Sequence, residues 1–166
     1  MLKMHETGIC WRGTTSLTSS RSMTQLPPSW RIQYFRESII FIHESRLKGQ
    51  GCLVHCVAGV SRSVTLVVAY IMTVTGRGWV ESLAAIRAAR PCAGPNLGFL
   101  RQLEEFENTE LAEYRAWWME QYGKNSFNDE EEVQNLLNKK SNSSLSSSSS
   151  SSASANIPQA LGTGHT

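Results

Sequence analysis

The sequence predicts an α/β fold, a central sheet flanked by helices, and three observations carry that expectation. A short apolar strand, Cys52-Leu53-Val54-His55, is bounded by Gly51 and runs straight into a glycine-containing loop. A helix follows from about Ser61 to Thr75, with Val64, Leu66, Val67, Val68, Tyr70 and Ile71 making it apolar almost all round, as a central buried helix is. Further helical periods stand on both sides of this pair.

With 166 residues and 18.5 kDa the chain holds one domain at most. Its 40% hydrophobic and 18% charged residues and net charge of +2 force neither a nucleic-acid nor a membrane partner. Four cysteines, at positions 10, 52, 56 and 92, form no CxxC pair and match no zinc spacing. The longest apolar run, Val64 to Val74, is interrupted by Thr65 and Thr73 and is too short to span a bilayer. No signal peptide is expected in the first thirty residues, and Leu2 stands where N-myristoylation needs Gly. Arg12 and Arg21 among Ser and Thr hint at a transit peptide, but no amphipathic helix accompanies them. The expected setting is the reducing cytoplasm, with free thiols rather than disulfides.

Residues 1–31 are Ser/Thr-rich, show no period and end in Leu26-Pro27-Pro28-Ser29, which predicts a disordered arm. The domain spans residues 32–137. Its first helix has Ile32, Phe35, Ile39, Ile42 and Leu47 at helical spacing and Gly49 closing it. Gly76-Arg77-Gly78 stops the central helix. A third, amphipathic helix runs from Trp79 to Arg90 with Leu83 and Ile86 inward, and Pro91 ends it. One long helix is expected from Leu97 to Gln121, carrying Phe99, Leu103, Phe106, Tyr114, Trp117 and Trp118. Its tryptophan pair and the acids Glu104, Glu105 and Glu107 read as core aromatics and solvated charge rather than as a docking surface. Asn128 to Glu132 put acids at the start of a last short helix ending at Leu136-Leu137, where they suit the helix dipole. The serine tract over 138–166 cannot bury a core and is expected to be a disordered tail.

The chemistry lies in His55-Cys56-Val57-Ala58-Gly59-Val60-Ser61-Arg62-Ser63. Successive backbone N–H groups from Val57 to Arg62 can cradle an anion, and the following helix N-terminus adds positive potential. Gly59 permits the bend and a close approach to phosphate. Arg62 offers two parallel donors to phosphate oxygens. The same field lowers the pKa of Cys56, so that a thiolate stands at the floor of the cup, poised for in-line attack on phosphorus. Ser63 can donate its hydroxyl to the sulfur as it departs, and His55 holds the loop.

A buried cysteine is ordinarily an inert small hydrophobe. A Walker-type phosphate loop is excluded because Lys is absent and the GxxxxGKS/T spacing fails. His, Cys, Gly and Arg together at HCx2Gx2R spacing overturn the inert reading. Cys52 is no redox partner for Cys56, since four residues of strand span about 13 Å. Cys92 follows Pro91 in a loop that sequence does not place.

At these residues the chain resembles the small atypical dual-specificity phosphatases. The resemblance covers roughly Phe35 to Leu137, through FRESIIFIHESRLKG, CLVHCVAGVSRSVTLVVAYIMTVTG and RPCAGPNLGFLRQLEEFE. It implies the cysteine-phosphatase fold, with Cys56 as nucleophile, Arg62 as phosphate clamp, Ser63 as leaving-group aid and Asn96 supporting the loop from outside. The implied substrates are proteins phosphorylated on tyrosine, serine or threonine, with no metal required.

The resemblance stops in the first third. Family members carry several strands before the first matched helix and a loop with an Asp general acid, whereas Met1 to Arg31 resembles none of that. The N-terminal strands are therefore expected to be missing or replaced. The only acid before Glu37 is Glu6, and the only aspartate is Asp129. Loss of the acid is expected to slow turnover by about 10²–10⁴. Three readings follow: a phosphatase acting through Cys56 without its acid, a catalytically weak or inactive isoform that binds phosphoprotein, and a chain that barely folds.

Overall fold

The computed structural model describes residues 2–5, 8–11, 15–17 and 28–146, with side chains described from Tyr34 to Lys139. The elements in order are β1 (Leu2–His5), β2 (Gly8–Trp11), β3 (Thr15–Leu17), α1 (Pro28–Leu47), β4 (Cys52–Val54), α2 (Arg62–Thr75), α3 (Trp79–Ala89), α4 (Leu97–Thr109), α5 (Leu111–Tyr122) and α6 (Asp129–Ser146). The four strands form one sheet in the order β1-β2-β4-β3, with β2 antiparallel to both neighbours and β3 parallel to β4.

The sheet corrects the expectation that residues 1–31 are a disordered arm, since Leu2–His5, Gly8–Trp11 and Thr15–Leu17 are strands of it. Cys52 and Val54 of β4 are buried, and a buried strand needs partners for the backbone groups on both edges. β2 and β3 supply them, pairing Ile9 with Val54 on one side and Leu17 with Val54 on the other. The signal was short. Leu2-Lys3-Met4-His5 alternates apolar and polar over four residues, and register sets Leu2 opposite Trp11 and Met4 opposite Ile9. Glu6 lies outside the described residues.

The chain turns helical at Pro28, four residues before the expected start, because proline suits the first helical position, where no N–H is needed. Phe35, Ser38, Ile39, Ile42 and His43 form the buried stripe of α1, whereas Leu47, expected to face inward, is half exposed. Every residue of α2 from Ser63 to Val74 is buried, so this helix is the axis of the core. It ends at Gly76, whose φ of 78° is left-handed, and Arg115 donates there to the carbonyls of Met72 and Thr73. Ser82, Leu83, Ala85 and Ile86 line the inner face of α3.

The expected single helix over Leu97–Gln121 is two. Glu110, at φ −127° and ψ −21°, leaves the helical region between α4 and α5. The break resets the face. Phe99, Leu103 and Phe106 are buried before it, and Leu111, Tyr114 and Trp118 after it, one residue later than an unbroken helix would place them. Trp118 is therefore in the core and Trp117 is exposed, stacked on Tyr114 with ring centroids 5.3 Å apart.

The last helix does not stop at Leu137, as expected, but runs to Ser146; extending a nucleated helix by a few polar residues is inexpensive. The remainder of the serine tract, from 147, lies outside the described residues. Asp129 does more than begin this helix. Its carboxylate takes two 2.7 Å bonds from Arg46, whose guanidinium also reaches the Tyr70 hydroxyl and lies over the Phe127 ring. The segment before α6 is thereby bound to α1 and α2.

Candidate active site

Strand β4 ends at Val54, and the chain passes through His55 and Cys56 into a loop that closes at Arg62, the first residue of α2. Gly59 adopts φ 66°, and its N–H donates to the Cys56 carbonyl at 3.2 Å, which folds the loop back on itself. Gly59 is buried, His55, Cys56, Val60, Ser61 and Arg62 are half-buried, and Val57 and Ala58 are exposed on the rim.

The Cys56 sulfur lies 3.4 Å from the Ser63 hydroxyl. Burial pushes the thiol up, but the Ser63 hydroxyl and the backbone N–H groups of Ser63, Ser61 and Gly59 outweigh it, and its pKa falls to about 7. Donors spaced two residues apart thus converge on one sulfur. Arg62 Nε is buried and has no hydrogen-bond partner among the described residues, which leaves a donor beside the cup.

The loop is stapled from outside by residues 93–96. Gly94 N–H donates to the Val60 carbonyl at 2.8 Å, and Asn96 N–H donates to the Ser61 hydroxyl at 3.1 Å. Asn96 therefore reaches the loop through its backbone, while its side chain accepts from Phe99 N–H and caps α4. Gly94 and the accepting hydroxyl of Ser61 were missed in the sequence; the Pro/Gly-rich run Pro91-Cys92-Ala93-Gly94-Pro95 was the available signal. Cys52, Cys56 and Cys92 are free thiols, with Cys52 fully buried on β4.

Among the described residues, no acidic side chain bonds to any residue from Cys56 to Ser63. Asp129 is committed to Arg46 and Asn125. Nor do the described residues bring three His, Cys, Asp or Glu side chains together around a metal-sized space. No single helix among them is long and apolar enough to cross a membrane. A cleft of about 730 Å³ lies at the opposite end of α2, lined by Arg77, Arg115, Met119, Phe127, Glu130 and Gln134 among others. It is separate from the cup.

The family model described as the dual specificity phosphatase catalytic domain matches residues 27–109, half of the chain. The chain belongs to the dual specificity phosphatase family. It is 67% identical over 110 residues to dual specificity protein phosphatase 22-B of Danio rerio, covering 66% of this chain and 60% of that protein. To the Homo sapiens dual specificity protein phosphatase 22 it is 60% identical over 105 residues, 63% of this chain and 57% of the relative. To the Mus musculus dual specificity protein phosphatase 15 it is 52% identical over 105 residues, 63% of this chain and 45% of the relative. The chain thus spans about 45–60% of the length of these curated relatives. The crystal structure of DUSP15 superposes with a TM-score of 0.55 at 46% identity, over 64% of this chain and 66% of that one. A dual specificity phosphatase fold therefore surrounds the loop.

Proposed function

We propose that the chain is a protein phosphatase that removes phosphate from phosphotyrosine and phosphoserine or phosphothreonine through Cys56, working without a dedicated general acid. One observation carries this reading: the N–H groups of Gly59, Ser61 and Ser63 and the Ser63 hydroxyl converge on the Cys56 sulfur, beside the unpartnered Nε of Arg62. In the first step the thiolate attacks phosphorus, an S–P bond forms and the ester P–O bond breaks. The departing oxygen takes its proton from solvent. Arg62 and the loop N–H groups balance charge on the equatorial oxygens. Water then attacks the cysteinyl phosphate, inorganic phosphate leaves, and the sulfur departs as thiolate with Ser63 donating to it. His55 and Asn96 hold the loop in place. The substrates are phosphoproteins, and the cytoplasm is where they are met.

A second reading, a phosphoprotein-binding isoform with weak turnover, draws support from the lack of any described acid bonded to the cup. The purified protein is assayed on an activated aryl phosphate and on a phosphotyrosine peptide, beside Cys56→Ser. Turnover of the activated ester, abolished by the substitution and far weaker on the peptide, is expected. Equal turnover of both would show that some group supplies the proton. Activity on neither, from a protein that melts cooperatively, favours the binding reading.

A further inference from the structure

The two stretches of chain that form the cup and the loop stapled to it carry arginines and no acid. Residues 49–80 contain no Asp or Glu, and neither do residues 82–103, which hold Arg87, Arg90 and Arg101. These are the stretches that build the cup and the loop stapled to it.

Arg87, exposed near the end of α3, has a fixed relation to the cup. Its Nε donates to the Ala93 carbonyl at 2.9 Å, and the next N–H in the chain, that of Gly94, donates to the Val60 carbonyl at 2.8 Å. Two bonds and the peptide unit between them place Arg87 Nε within about 8 Å of the Val60 carbonyl oxygen. Neighbouring side chains of an extended peptide span that distance. Anchoring through Nε leaves the two terminal amino groups of the guanidinium for another acceptor. Among the described residues no acid forms an ion pair with Arg87. The rim beside it is open, with Val57 fully exposed and Leu97 65% exposed, so a polypeptide can lie across the mouth.

We propose that Arg87 is a specificity residue that reads an anionic side chain, a carboxylate or a second phosphate, one or two residues from the phosphoresidue in the cup. The inference rests on the phosphatase reading of the cup and adds a substrate class to it: phosphoproteins acidic around the target. Arg62 meets the reacting phosphate, and Arg87 meets its neighbour. Such a pair is solvent-accessible, so its effect is moderate and screened by salt.

The test uses three phosphopeptides of one parent sequence, with neutral, glutamate or phosphoserine flanks. At low ionic strength kcat/KM is expected to be about three- to fivefold higher for each anionic peptide than for the neutral one. That ratio is expected to approach one in Arg87→Ala, to fall below one in Arg87→Glu, and to shrink in 1 M salt. Because each ratio is taken within one protein, damage to the fold cancels. A gain with phosphoserine alone would assign the site to a second phosphate, and a gain with both to any anion. Equal kcat/KM for all three peptides in the unaltered chain, or an unchanged ratio in Arg87→Glu, overturns the inference while leaving the phosphatase standing. If no peptide and no aryl phosphate is turned over, the phosphatase reading fails. The inference is then decided by the Kd of the same peptides for Cys56→Ser, with the same ratios expected and equal Kd values overturning it.

Discussion

Arg46 and Asp129, 83 positions apart, meet through two parallel 2.7 Å hydrogen bonds with both side chains more than nine-tenths buried. A bidentate pair of this kind is strong in geometry, but desolvation offsets much of its attraction, so its net contribution is small. Removing one partner is another matter, because it strands a charge. Asp129→Ala is expected to destabilise the fold by about 3–5 kcal/mol in urea unfolding. The double replacement Arg46→Met with Asp129→Leu is expected to recover most of that loss. Equal instability of the single and double variants would show that the pair does more than neutralise itself.

His43 is only 2% exposed, its Nδ1 3.2 Å from the Tyr70 hydroxyl and its ring edge-on to Trp118, Tyr122 and Phe127. Burial, with Arg46 adding to it, lowers its pKa from 6.5 to about 4. The folded imidazole stays neutral where the unfolded one binds a proton. Between pH 6.5 and about 4 the unfolded state therefore holds more protons, and stability falls as pH falls through that window. His43→Phe is expected to flatten this acid limb in thermal melts taken at successive pH values.

The thiol of Cys56, lowered to about 7, is expected to set the acid limb of turnover on an activated aryl phosphate. The rate is expected to rise with pH and level off above about 7. Ser63→Ala removes the hydroxyl 3.4 Å from the sulfur and is expected to move that limb upward. Alkylation of Cys56 by iodoacetamide against pH reads the same shift without turnover. The linkage to stability has a definite sign: the depressed thiol stabilises the fold above about pH 9, and that contribution is lost as pH falls through about 7.

Gly76 occupies a left-handed conformation, and a Cβ there would meet the Arg115 guanidinium. Gly76→Ala is expected to destabilise by about 1–2 kcal/mol from the backbone alone. Displacement of Arg115 from the carbonyls of Met72 and Thr73 adds to that. In an Arg115→Ala background the same substitution is expected to lose only the backbone part, which a double-mutant cycle measures.

Contiguous features were legible. The strand into Cys56, the loop to Arg62 and the buried α2 follow one another in the chain, and each depends on spacing that local sequence displays. What was not legible depends on partners distant in sequence. Strands of three or four residues are too short for a period to declare itself, and β4 selects them by needing partners on both edges. Glu110 carries no breaking residue; the helix breaks there because Leu111, Tyr114 and Trp118 bury better one position on. Asp129 read as a helix-start acid because the sequence does not show Arg46 waiting for it.

The sequence by itself determined the loop from Cys56 to Arg62, since backbone donors, a flexible glycine and an arginine stand at fixed spacing along a continuous chain. It also determined the central helix, whose all-round apolarity has no other resting place than the core. Only the tertiary structure decided which residues hold that loop. Gly94 and Asn96 bond to Val60 and Ser61 across more than thirty positions. It likewise brought Arg87 near the cup and locked Asp129 to Arg46. Those relations are hydrogen bonds and ion pairs between segments that meet only once the apolar faces of α1 to α6 have packed.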